Sequence, residues 1–148
     1  MTMRTVSGTL DSTLASIDDG ENAALEFARR VGFDGPTLEC IGFAVREMIA
    51  NAVVHGNRYD PRKKIFLACS HTARRLAIAI SDQGDGFEMN RVPDPVAATA
   101  LLQGSGRGIY LARALMDEFH VRSNGKSGTT VVLVKYVSVG HAESASNG

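Results

Sequence analysis

The sequence predicts a two-layer α/β (α+β) sandwich: a mixed, largely antiparallel sheet with about three helices on one face. Three observations predict it. Apolar residues recur at helical spacing in three stretches, 16–31, 36–55 and 104–118. Two pairs of strand-like runs, 64–70 with 75–81 and 119–123 with 129–137, are each joined by a short turn. The chain has 148 residues, 44% of them hydrophobic, which suits one ordinary core. Residues 1–137 read as a single domain, and 138–148 as a disordered tail, small and polar from His141 onward.

In order, Thr2 to Ser12 sets Val6, Gly8 and Leu10 against polar neighbours, a short strand suited to an edge. From Ser16 the period changes. Ile17, Ala24, Phe27, Ala28 and Val31 make one helical face, and Asp18, Asp19 and Glu21 lie in the first turn, where the dipole favours acid. Gly32 to Gly35 ends this helix. Pro36 suits the first turn of the next, which runs to His55 and is stopped by Gly56-Asn57. Lys64–Ser70 and Arg75–Ser81 are apolar at nearly every position, as central strands with both faces covered would be. Residues 88–103, with Pro93 and Pro95, form a long connection of the kind that serves as a lid or binding loop. A third helix opens at Gly104–Gly108, with Ile109, Leu111, Ala112, Leu115 and Met116 facing inward.

Sixteen basic and sixteen acidic residues leave no net charge, so direct nucleic-acid or anionic-membrane binding is not expected. No apolar run approaches the roughly 20 residues of a membrane span. Cys40 and Cys69 sit in apolar periodic segments, which suits a reduced, cytoplasmic setting better than a disulfide framework.

Candidate chemistry begins on the second helix. Glu47 and Asn51 are four residues apart, about 40° on the helical wheel, so they share a face. Their neighbours there are Cys40, Phe43, Ala50 and Val54, none of them charged. A poorly solvated carboxylate needs a partner or a task. The plainer alternative is a surface Glu–Asn pair beside a small apolar patch. Asp82 leaves a buried strand at the sheet's end, and Gly84 and Gly86 would let a flat ligand approach the backbone there. Its carboxylate can accept from an exocyclic amino group. A simple turn is the alternative. Gly104-Ser105-Gly106-Arg107-Gly108 opens a helix, where free amides and the dipole suit phosphate. It is neither a Walker A loop nor a dinucleotide fingerprint, lacking Gly-Lys-Ser/Thr and a closely preceding strand.

Taken in order, Glu-x-x-x-Asn on a helix, a strand ending in Asp-x-Gly-x-Gly, a glycine-rich loop into a helix and Gly-Thr opening the last strand resemble the GHKL ATPases. The resemblance covers Phe43 to Val137. Within it, the segment 45–56 and the ending Ser127-Gly128-Thr129-Thr130-Val131 look most like the anti-sigma-factor serine/threonine kinases.

That resemblance implies a histidine-kinase-type ATPase fold and a set of roles. Asn51 would ligate Mg²⁺, and Glu47 would be the general base. Asp82 would bind the adenine amino group, with Gly84, Gly86 and Thr129 near the base. Gly104, Ser105, Gly106, Arg107 and Gly108 would surround the phosphates. It implies ATP and Mg²⁺ as cofactors, and a sigma factor and a STAS-domain anti-sigma antagonist as partners. Homodimerisation is left open, and a gyrase-like ATP-driven clamp is not expected of so short a lid. Spacing agrees with these roles, since one helical turn sets Glu47 and Asn51 about 6 Å apart. His55, a turn further on, either touches nucleotide or bonds a helix-end carbonyl. The pattern departs from the family at Gly104, where these kinases commonly carry a basic residue. Arg107 is the basic residue of this loop.

The function expected is therefore an ATP-dependent protein-serine/threonine kinase acting on the antagonist and binding the sigma factor. The rival is a non-catalytic ATP/ADP-binding module whose nucleotide state switches a protein interface. A detached histidine-kinase catalytic domain fits less well, since no helix pair carrying a phospho-acceptor His is present.

Overall fold

The computed structural model describes residues 3–84, 105–124 and 128–138. The long connection, Gly86, Gly104, the tip of the second hairpin and the tail beyond 138 lie outside the described residues.

The elements run β1 (Arg4–Asp11), α1 (Ala15–Val31), α2 (Gly35–Asn51), a π-helical turn (Ala52–Gly56), β2 (Lys64–His71), β3 (Arg75–Ser81), α3 (Ser105–Leu115), β4 (Glu118–Ser123) and β5 (Thr129–Tyr136). The strands form one sheet in the order β1-β2-β3-β5-β4. Every pairing among them is antiparallel, so β1 is an edge, as its alternation suggested. Register follows the apolar pattern: Leu67 opposes Ile80, Cys69 opposes Ile78, and Ile78 in turn opposes Leu133. These side chains share one face and form the sheet's half of the core.

The helices cover that face, with α2 packed against both α1 and α3. Ile41, Ala44, Val45, Met48 and Ile49 of α2 are buried and recur at helical spacing, as one core-facing stripe does. At roughly 1.5–3 kcal/mol per fully buried large aliphatic side chain, this stripe is a main source of cohesion. Local chemistry fixes the helix ends. Asp34 caps α2 by accepting the Thr37 amide at 2.8 Å, with Pro36 in the first turn. Gly32 ends α1 in the left-handed region at φ 107°. Arg46 is exposed and bridges Asp18 at 2.6 Å and Glu21 at 2.9 Å on α1. Such exposed pairs orient helices more than they stabilise them.

Three expectations are corrected. First, β2 and β3 alternate in burial and do not have two covered faces. Their outward positions hold Ala68, Ala77 and Ala79, and Phe66 is 42% exposed. Small apolar residues there imitated a doubly buried strand in the sequence. Second, Leu111 faces outward at 45% exposure. It lies about 200° from Ile109 on the wheel, whereas Ala112 and Met116 lie beside Ile109. Third, the second helix is not α-helical to His55, because its last turn widens into the π form.

The one-sided core gives a test by thermal or urea denaturation. Ile78→Ala, on the covered face, should cost about 2–5 kcal/mol. Phe66→Thr, on the open face, should cost no more than about 1 kcal/mol. Equal losses would mean that both faces are covered.

Candidate functional site

The site is assembled where α2, its π turn, the end of β3 and the start of β5 meet. On α2, Glu47 is half-buried. Its carboxyl is raised above the ordinary range, first by desolvation, with the Arg46 charge opposing. The first turn of α3 lies directly against it: a Cβ added to Gly108 would sit 2.1 Å from Glu47 Oε2. A glycine at 108 is what lets α3 come so close. One turn along α2, Asn51 is buried, and its Nδ2 has no hydrogen-bond partner among the described residues. The two ends of a side-chain amide exchange by a half-turn, so this position can offer either a donor or an oxygen ligand.

Asp82 is 7% exposed. Both bonds it accepts from described residues fall on Oδ1, from Gly84 N at 3.0 Å and Thr129 N at 3.1 Å. Burial pushes its carboxyl up, against those two amides and the Lys63 charge. Oδ2 lies over Gly56, where an added Cβ would meet it at 2.3 Å. Gly84 packs on the Gly56 carbonyl, where an added Cβ would come within 2.0 Å of the oxygen. Gly128, at φ 112°, packs on the Asp82 carbonyl with the same 2.0 Å limit. The π turn produces this approach: Asn57 N bonds Ala52 O at 2.7 Å, a five-residue step that swings Gly56 toward the sheet. Thr129 is buried beside Asp82, and its Oγ1 has no partner among the described residues.

The structure therefore brings Asp82, Gly84 and Thr129 together at one end, and Glu47, Asn51 and Gly108 together along α2. Ser105 and Gly106 lie in the first turn of α3, and Arg107 is exposed there. His55 is half-buried in the π turn. Gly56 and Gly128 were missed as site residues. The sequence presented them as a helix stop and a turn, and only the fold shows both against Asp82. Two buried polar atoms that are unpartnered among the described residues, with a carboxylate framed by glycines that any Cβ would crowd, fit a purine nucleotide and its metal. Among the described residues no cluster of three or more His, Cys, Asp or Glu could hold a metal, so a single amide ligand would need phosphate and water to complete a shell.

This combination of an antiparallel sheet, a helical layer on one face and a glycine-framed carboxylate is that of a nucleotide-binding class of α/β sandwich. The chain belongs to the histidine kinase-like ATPase domain family, whose profile matches residues 10–135. It is 32% identical over 117 residues to the serine-protein kinase RsbW of Bacillus velezensis, covering 75% of this chain and 72% of that one. It is 31% identical over 112 residues to the anti-sigma F factor of Bacillus cytotoxicus, covering 72% and 77%. In fold it resembles the crystal structure of the RsbU and RsbW domains of Rv1364c from Mycobacterium tuberculosis, with a TM-score of 0.64 at 21% identity. That match covers 89% of this chain but only 31% of that longer one. Among the described residues no helix is long and apolar enough to cross a membrane.

Asp82 gives a pH test. Its raised value means that the folded state holds the proton more tightly than the unfolded state does. Its contribution to stability therefore falls as pH rises from the ordinary carboxylate value, about 4, through the raised one. Asp82→Asn is neutral throughout and can accept the same two amides. It should be at least as stable as wild type at pH 7 and flatten the decline in urea denaturation, while losing ATP binding by calorimetry. A less stable variant that still binds ATP would contradict this.

Proposed function

We propose that this protein is a cytoplasmic, ATP-dependent protein-serine/threonine kinase of the anti-sigma-factor type, with residues 1–137 as its ATP-binding domain. It binds a sigma factor and phosphorylates a STAS-domain antagonist. The observation that supports this reading best is Glu47: a carboxylate kept partly out of water, one turn from Asn51 and pressed against the first turn of α3. The serine-protein kinase RsbW and anti-sigma F factor relatives are in keeping with it.

In this reading Asp82 Oδ2 accepts the adenine amino group, and Thr129 Oγ1 is available to the same base edge. The first turn of α3, from Ser105 to Gly108, offers backbone amides to the phosphates, with Arg107 at its exposed side. Asn51 would hold Mg²⁺ through its side-chain oxygen, and the bound ion would offset the triphosphate charge. Transfer is in-line. The acceptor serine or threonine oxygen bonds to the γ-phosphorus as the bond to the β–γ bridging oxygen breaks and ADP leaves. Glu47 takes the hydroxyl proton. Its raised pKa brings it nearer neutrality, where a general base works best.

A second reading, a nucleotide-dependent switch without transfer, is favoured by one observation: Gly104 stands where related kinases commonly carry a basic residue. Incorporation of γ-phosphate into the STAS protein of the same organism separates the two. Glu47→Gln should bind ATP normally and lose about 10²–10⁴-fold in transfer. Asn51→Ala should weaken Mg·ATP binding itself. Wild-type protein that binds ATP and grips the STAS partner, yet transfers nothing, would establish the switch.

A further inference from the structure

Below the Asp82 pocket lies a polar network that none of the roles above uses, centred on Asn57. This side chain is 1% exposed. Its Nδ2 donates to Ser12 Oγ at 2.8 Å and to Lys64 O at 3.0 Å. Its Oδ1 accepts the Gln83 amide at 2.7 Å. Ser12 Oγ donates to Lys63 O at 2.5 Å, and Lys64 N donates to Gln83 Oε1 at 2.6 Å. The end of β1, the exit of the π turn, the start of β2 and the segment after β3 are thus tied at one buried amide.

We propose that Asn57 is a positioning residue for base recognition, its side-chain carbonyl holding the Gln83 amide so that the Asp82 carboxylate keeps a fixed aim. This rests on the reading of Asp82 as the adenine partner. Asp82 is pinned on its N-terminal side by its own amide, bonded to Thr129 O at 3.0 Å. On its C-terminal side the amide of Gly84 folds back to its Oδ1, and between them the amide of Gln83 has Asn57 as its acceptor. Without that bond the Gln83 peptide can turn, and the Gly84 amide that fixes Oδ1 turns with it. Oδ2, the oxygen left for a ligand, would then lose its direction. The backbone of the same residue matters too. Asn57 N closes the π turn that sets Gly56 beneath Oδ2. Because the amide is buried and fully engaged, its loss leaves the Gln83 donor without a protein acceptor.

The test uses discrimination between ATP and inosine triphosphate, which lacks the adenine amino group. Affinities are measured by calorimetry on the full chain with Mg²⁺. Wild type should prefer ATP, and Asn57→Ser should lose about tenfold of that preference, roughly one hydrogen bond's worth, while inosine triphosphate binding changes little. Ser12→Ala weakens the same network from its far side but leaves the Gln83 contact in place. It should lower the melting temperature and keep the preference. Asn57→Asp, which retains an oxygen toward Gln83, should keep most of it. If Asn57→Ser loses stability and both nucleotides in parallel, with the preference unchanged, Asn57 serves the fold alone and the proposal is overturned. Asp82→Ala separates the two layers of inference. If it leaves the preference intact, or if wild type shows none, the adenine reading fails and this proposal with it. If Asp82→Ala abolishes the preference and Asn57→Ser does not, only the positioning role fails. Should neither Asn57 variant fold, amide exchange in the wild type decides: a Gln83 amide exchanging as fast as a free loop amide overturns the proposal.

Discussion

The structure depends on bringing backbone within van der Waals reach of one buried carboxylate. Asp82 cannot be solvated where it sits, so its charge must be met by amides. The amides of Gly84 and Thr129 meet it, and the backbone around it closes in where side chains are missing. Gly56, Gly84 and Gly128 arrive from three different segments, and at each an added Cβ would fall within 2.3 Å of a neighbouring atom of Asp82 or of Gly56. The π turn, the β3 exit and the β5 entry are all adapted to this contact. The cost is visible in the carboxyl itself, which is raised by burial even with two amides bonded to it. A group held in a form that the fold does not favour is commonly one kept for a ligand.

α2 is the other shared element, and it joins packing to chemistry on adjacent faces. One face carries the aliphatic stripe that seats on the sheet, and the next carries Glu47 and Asn51. The stripe fixes the helix's rotation, because turning it by one residue would expose Met48 and bury Arg46. That rotation aims the Glu47 carboxylate at α3. Gly108 then sets the spacing of α3 from α2 at atomic contact, so the position of the third helix is decided by a missing side chain at the same carboxylate. Packing and site geometry here are one constraint.

Much of this was legible in the sequence because it is periodic or local. The helical spacing of Ile17, Ala24, Phe27 and Ala28 gave the core face of α1, and the four-residue step gave the shared face of Glu47 and Asn51. Asp82 at a strand's end was legible for the same reason. The outward faces of β2 and β3 were not, since alanines at 68, 77 and 79 carry no polar signal. Leu111 misled for a related reason: composition suggested an inward residue where the wheel places an outward one. Gly56 and Gly128 were opaque as site residues because their role is set by contacts across 26 and 46 positions of chain. Asn57 was hidden likewise, its partners lying 45, 7 and 26 residues away. Such contacts leave no local pattern.

The two halves of the proposed chemistry rest on different parts of the fold. Base recognition draws on Asp82, Thr129 and the glycines, which belong to the sheet's end and the π turn. Proton removal draws on Glu47, which belongs to α2 and its contact with α3. The core stripe of α2 links the halves mechanically, but no hydrogen bond among the described residues runs from Glu47 to Asp82. A change in the phosphate loop, such as Gly104 in place of a basic residue, can therefore weaken transfer without disturbing the base pocket. Conversely, a change in the Asn57 network can misdirect Asp82 while Glu47 keeps its place. In the proposed roles, the contacts that hold a nucleotide are therefore not those that spend it.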